Sequence, residues 1–103
     1  MRLPSDADEL EAIAASFKAL AHPLRLRLLD ALWEGDALSP TQLRRLTESE
    51  VALGTVSHHM KELVFLGMVD PAGTRAVRGA LEHFYKLSPR GRRLLDLAYR
   101  FVG

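Results

Sequence analysis

Three prolines, Pro23, Pro40 and Pro89, each open a run of helically spaced apolar residues, and this punctuation constrains the fold more than any other feature of the chain. Proline has no backbone N–H, so it is costly inside a helix but suits the first helical position, where that N–H would have no partner. The residue before a proline avoids helical backbone, so His22-Pro23, Ser39-Pro40 and Ser88-Pro89 each mark a boundary. Ahead of the first, Ser5 precedes an acidic turn, and Leu10, Ile13, Ala14, Phe17, Leu20 and Ala21 recur at helical spacing, which predicts an amphipathic helix over 6–20. From Pro23 to about Trp33, Leu24, Leu26, Leu28, Leu29, Ala31, Leu32 and Trp33 cover most of a helix circumference, the pattern of a central helix packed on several sides and stopped by Gly35.

Ser39-Pro40-Thr41-Gln42 has the residues of a capping box and starts a short third helix with Leu43 and Leu46 as its expected core contacts. After a polar turn over 47–53, a fourth helix is expected from Gly54 to about Leu66. At 3.6 residues per turn, Val56, Met60 and Leu63 fall on one side of it and Gly54, His58 and Lys61 on the other, so one face is for the core and one is free. Gly67 closes it. Met68-Val69-Asp70-Pro71 then begins an extended segment that Pro71 should interrupt. Residues 72–80, with Gly73 and Gly79 around Arg75 and Arg78, read as a loop with a basic tip. Leu81 to Ser88 alternates as a return strand, with Leu81, His83, Tyr85 and Leu87 on one face. Ser88-Pro89 caps a last helix, Pro89 to Val102. Its apolar arc is wider than one small core can bury, so part of it should meet another chain.

With 103 residues, 48% of them hydrophobic and 26% charged, the chain has the makings of one compact domain, 1–103. The lack of cysteine removes disulfides, thiolate metal sites and thiol nucleophiles. The longest apolar stretch near the middle, residues 63–69, is far short of the roughly 20 residues of a membrane span. The acidic start, with Asp6, Asp8, Glu9 and Glu11, is unlike a secretory signal, so a cytoplasmic location is expected. The net charge of +1 hides an asymmetry: from Thr55 onward eight basic residues stand against four acidic ones, whereas both preceding segments are net negative. A basic half points to a polyanion-facing surface, although a charge run is more often a solvated face.

The free side of the fourth helix carries short polar residues near its start. A helix fits the major groove of double-stranded DNA, where Gly54, Thr55, Ser57 and His58 could approach base edges and phosphates, with Lys61 placed for the backbone. The alternative is that Thr55 and Ser57 only cap and solvate a helix start. Arg75 and Arg78 could grip phosphates or enter a minor groove, or be ordinary exposed arginines. His58 and His59 diverge by about 100° on a helix, poor geometry for chelation, and His59 lies nearer the core. His22 is read as an end cap and His83 as a cross-strand packing residue, so no metal site is assembled from the four histidines and no cofactor is implied. Arg25 and Arg27 are expected to pair with acids such as Asp30, with a DNA phosphate the alternative for Arg25, and Phe17 and Trp33 to be core. No phosphate-cradling glycine loop, zinc-protease spacing or elbow serine is present, and Ser57-His58 diverge on their helix, so an enzyme is not expected.

Three segments carry a resemblance. Residues 17–29 (FKALAHPLRLRLL) resemble the opening of bacterial repressors of the ArsR-like superfamily, residues 56–63 (VSHHMKEL) are similar to their recognition helix, and residues 77–85 (VRGALEHFY) to the wing of one branch. The resemblance implies a mainly α winged helix-turn-helix with a small β-hairpin, in the order α-α-α-α-β-β-α. Residues 39–67 would be the helix-turn-helix, 68–88 the wing, and 1–22 and 89–103 the dimerisation helices. It implies a regulator binding a palindromic operator as a homodimer, with Leu10, Ile13, Phe17, Leu94, Leu95, Ala98, Phe101 and Val102 at the dimer interface. The metal-sensing members carry paired cysteines before the recognition helix, or aspartate and histidines on the last helix. Neither arrangement exists here, where Asp96 stands alone, so the effector is unassigned. The turn at 47–53 is also two residues longer than the commonest spacing. The competing reading is a winged-helix module that binds protein instead of an operator.

Overall fold

The computed structural model describes residues 2–102; Met1 and Gly103, the outermost residues of the expected domain, lie outside the described residues. The elements follow in the expected order: α1 (Ala7–Leu20), α2 (Pro23–Ala31), α3 (Pro40–Leu46), α4 (Leu53–Phe65), β1 (Val69–Val77), β2 (Ala80–Leu87) and α5 (Pro89–Val102). Two antiparallel strands form the one sheet among the described residues, and the architecture is a winged helix-turn-helix. No helix among them is long and apolar enough to cross a membrane.

The boundaries follow from local chemistry. Proline is the first residue of α2, α3 and α5. Both arms of the capping box form: the Ser39 N–H donates to Gln42 Oε1 at 2.9 Å and the Gln42 N–H to Ser39 Oγ at 3.3 Å. The Gly91 N–H donates to Ser88 Oγ at 3.0 Å, capping α5. At α1 the cap is Asp6 and not Ser5, its carboxylate accepting from the N–H groups of Asp8 (2.8 Å) and Glu9 (3.2 Å). A carboxylate at that end also meets the positive pole of the helix.

The core is centred on α2. Leu28, Leu29 and Leu32 have no exposed surface and pack with Leu43 of α3, Val56, Met60 and Leu63 of α4, Met68, Val69, Tyr85 and Leu87 of the hairpin and its approach, and Leu95 of α5. Trp33 packs against this cluster as expected. Two expected core residues are instead at the surface, Phe17 at 60% and Leu46 at 61% exposure, because α1 turns Ser16 and Ala19 inward and α3 turns Leu43 inward.

The hairpin departs most from expectation. Residues 72–80 are largely strand: the ladder pairs Val69 with Leu87 through to Val77 with Ala80, and a register irregularity between Pro71 and Thr74 absorbs the proline and Gly73. Only Arg78-Gly79 turns, at φ of 49° and 82°. A two-residue turn with both central φ positive matches strand twist, so one glycine suffices where a flexible loop was expected. Leu38 adds a one-residue bridge to Tyr85, with both N–H···O bonds at 2.9 Å, which ties the segment before α3 to the wing.

Helix α5 lies against the start of β1 with no room for a side chain at the crossing. A Cβ on Gly91 would stand 2.0 Å from the Met68 carbonyl oxygen and 2.9 Å from its carbon, both backbone atoms. Toward its C-terminal end the Tyr99 hydroxyl donates to the Asp30 carboxylate, and beside Gly91 the Arg92 guanidinium lies 4.6 Å from the Trp33 ring centroid while Nη2 donates to the Trp33 carbonyl at 3.1 Å. Asp30 is therefore engaged by Tyr99, not by Arg25 or Arg27. Between them α1, α2 and α5 leave an apolar groove lined by Phe17, Leu20, Leu26, Leu94, Leu97 and Phe101. Leu95, expected at a dimer interface, is 2% exposed and belongs to the protomer's own core.

Gly91→Ala should lower stability by about 2–3 kcal/mol, since backbone must move to admit the methyl group. Gly54→Ala, with nothing within 4 Å of the added carbon, should cost nothing or stabilise by up to about 1 kcal/mol. Thermal unfolding at fixed protein concentration checks both, and equal midpoints for the two variants would contradict the crossing geometry.

Candidate nucleic-acid interface

The turn between α3 and α4 is built by its own residues. Glu48 takes a left-handed φ of 51° just past α3, and the Ser49 N–H donates back to the Arg44 carbonyl at 3.0 Å. Arg44 Nε then donates to the Val51 carbonyl at 2.7 Å, and Thr47 Oγ1 to the Leu43 carbonyl at 2.7 Å. The longer turn is thus pinned at both ends, and α4 starts at Leu53, one residue earlier than expected.

Helix α4 divides as its spacing predicts. Val56, His59, Met60 and Leu63 are buried, while Gly54, Thr55, His58 and Lys61 are exposed; Ser57 is half-buried on the flank. No side chain caps its N-terminus and its first turn has no acid, so the positive pole of the helix dipole is left uncompensated beside the exposed polar stripe.

Lys61 also lines a cleft between α4 and the hairpin, opposite Gly73, Thr74, His83 and Phe84. Of the α4 stripe, Lys61 is the residue that borders this cleft with the wing. His83, expected to pack across the strands, is exposed on this cleft. The strand alternation that puts His83 on the same face as Tyr85 was the signal available, but only the position of α4 decides that this face opens to solvent beyond Tyr85.

The wing arginines differ from one another. Arg78 is at the turn itself and exposed. Arg75 is in β1 directly opposite Glu82, its Nη2 2.8 Å from Glu82 Oε2 and its guanidinium 5.6 Å from the Phe84 ring centroid. Its charge is partly compensated, and it is not part of a loop tip.

His59 is buried and bonded, as its position suggested, but its partner is unexpected. Arg25 Nε donates to His59 Nδ1 at 3.0 Å, and His22 stands edge-on to the same ring with centroids 4.6 Å apart. His22 occupies the N-cap position of α2 without making a side-chain cap bond. Burial, and then the Arg25 charge, push the His59 pKa below its ordinary value of 6.5.

A family model described as a helix-turn-helix domain matches residues 20–71, from the end of α1 to the start of the wing. No curated protein sequence matches the chain. Among solved structures the chain is similar to a homodimeric winged helix-turn-helix DNA-binding domain from Mycobacterium bovis described as a possible ArsR-family transcriptional regulator. Identity is 27% over 99% of this chain and 90% of that one, with a TM-score of 0.73. It is similar also to the antimony-specific transcriptional repressor AntR (25% identity, 98% and 86% covered, TM-score 0.75). A third similar structure is the transcriptional repressor PagR of Bacillus anthracis (26% identity, 90% and 99% covered, TM-score 0.68). These relatives are regulators, not enzymes.

Because the folded protein holds the His59 pKa below that of the unfolded chain, the unfolded state binds the extra proton first, and stability present above about pH 6.5 is lost as pH falls through the folded value. His59→Asn, which keeps an acceptor and cannot titrate, should show a smaller loss of thermal midpoint in mild acid than wild type. Parallel losses in the two proteins would show that His59 does not carry this dependence.

Proposed function

We propose a specific role for this chain, which belongs to the helix-turn-helix domain family and is a DNA-binding transcriptional regulator of the winged, ArsR-like kind. It is a repressor that binds a palindromic operator as a homodimer, with α4 in the major groove and the wing on the adjacent backbone or minor groove. Residues 39–67 form the reading unit, 68–88 the wing, and 1–22 and 89–103 the dimerisation helices.

The observation that carries this reading is the exposed polar stripe on α4, whose Lys61 lines a cleft against the wing. Gly54, Thr55, Ser57 and His58 face the bases there and Lys61 the backbone; Arg78 and, more weakly, Arg75 hold phosphates or a minor groove. Self-association is supported by apolar surface a lone chain leaves wet: Phe101 is 93%, Val102 89% and Phe17 60% exposed along α1 and α5. Leu10, Ile13, Leu94 and Ala98 extend this face, and an isologous twofold pairing would bury it. The described homodimer of the Mycobacterium bovis domain and the repressor roles of AntR and PagR point the same way.

An operator selected from a random duplex pool provides the test. Thr55→Ala and His58→Ala should each weaken binding to it more than to random duplex, by about 1–3 kcal/mol where a base contact is lost. Equal losses on both DNAs would reassign these residues to the backbone, and failure to select any sequence would favour a protein-binding module.

Removing the wing charge should weaken specific and random binding alike. Arg78→Ala should flatten the plot of log affinity against log salt by about one unit per lost phosphate contact on each protomer. Arg75→Ala should have a smaller effect, because Glu82 already offsets that charge. An unchanged salt slope in Arg78→Ala would remove the wing from the DNA contact.

A further inference from the structure

The contacts that hold α4 in place are almost all apolar, and apolar packing has no strong directional preference. The exception is at its middle. Among the described residues, the bond from Arg25 Nε to His59 Nδ1 is the one side-chain hydrogen bond that joins α4 to another element, and it spans 34 positions of sequence. His59 is 7% exposed and Arg25 half-buried, so the bond is partly buried. His59 also adjoins His58, which is on the exposed stripe, with ring centroids 6.1 Å apart. A turn of α4 about its axis that moves one imidazole must move the other.

The acceptor is conditional on charge. Arginine can only donate, so His59 accepts at Nδ1 only while that nitrogen carries no proton. The titratable and charged groups facing it are Arg25 and His22 from α2, and His58 and Glu62 from α4 itself. Glu62 is the single acid among them. A second proton on His59 would remove the acceptor and set a cation against Arg25 in a partly buried site.

We propose that Arg25 and His59 are positioning residues for operator reading, fixing the rotation of α4 on α2 so that Thr55 and His58 meet the base edges, and that protonation of His59 releases this contact. The inference rests on the reading of α4 as the DNA-reading helix. Its consequence is a loss of discrimination, not of affinity. Acid adds positive charge and so strengthens phosphate attraction to any duplex, whereas a rotated α4 loses only the contacts that depend on sequence. The ratio of affinities for operator and random duplex isolates the second effect.

The test is that ratio for the full chain with the selected operator, measured from about pH 7.5 down to about pH 4.5, because burial and the Arg25 charge hold the His59 pKa below its ordinary value. In wild type it should fall about tenfold, the size of a typical coupling between sites. His59→Asn offers its amide oxygen where Nδ1 stood and cannot titrate, so its ratio should stay high and flat, whereas Arg25→Ala should show a low ratio already at the upper pH. In the free protein, the Arg25 Nε–H resonance should be protected from exchange at the upper pH, lose that protection on acidification, and keep it in His59→Asn. Fast exchange of that proton at the upper pH, or a wild-type ratio unchanged by acid, would overturn the proposal while leaving α4 as the reader. No discrimination at any pH would overturn the α4 reading and the proposal together.

Discussion

The complete burial of Leu28 and Leu29 on a nine-residue helix, and of Leu32 at its C-cap, is the constraint from which the rest follows. These leucines fall within about 100° of arc, one face of α2 and its cap, and residues of α1, α3, α4, α5 and the base of the hairpin pack into a single cluster with them. Once they do, the polar residues at its two ends are brought against neighbouring elements. Arg25 at the start reaches His59 of α4, and Asp30 and Trp33 at the end meet Tyr99 and Arg92 of α5. One short helix thereby touches both the element proposed to read DNA and the element that carries the exposed apolar face.

The surface proposed to face DNA is a by-product of how α4 is packed. Its buried side is committed to Val56, Met60 and Leu63, so of the polar residues between them only His59 is buried, and His58 and Lys61 face outward. The hairpin then rises beside this stripe because Gly91 lets α5 press on the backbone at Met68, where β1 begins, and because Leu38 bridges to Tyr85. Close packing at the base of the wing is what sets its lower half, Pro71 to Thr74 and His83 to Tyr85, beside Lys61.

Local chemistry was legible in the sequence. The Ser39 capping box, the prolines at helix starts and the two faces of α4 depend on residues within four positions of one another, and the structure reproduces them. What depended on distant partners was not legible. Phe17 has helical spacing suited to a core, but nothing local says that α1 will turn Ala19 inward instead. Pro71 and Gly73 read as breakers, yet a two-stranded ribbon tolerates a register irregularity between them and continues. Arg25 has Asp30 five residues away, and only the tertiary fold shows that His59 is its acceptor and Tyr99 the partner of Asp30.

Because the chain has no cysteine, Thr55→Cys introduces a single attachment point for a DNA-cleaving iron chelate at the start of α4. Bound to the selected operator, the labelled protein should cut each strand in one cluster. The two clusters should be related by a twofold axis and lie about one helical turn, 10–10.5 base pairs, apart, as two recognition helices of a dimer require. A single cluster, or diffuse cutting along the whole duplex, would contradict the account of a symmetric dimer reading DNA through α4.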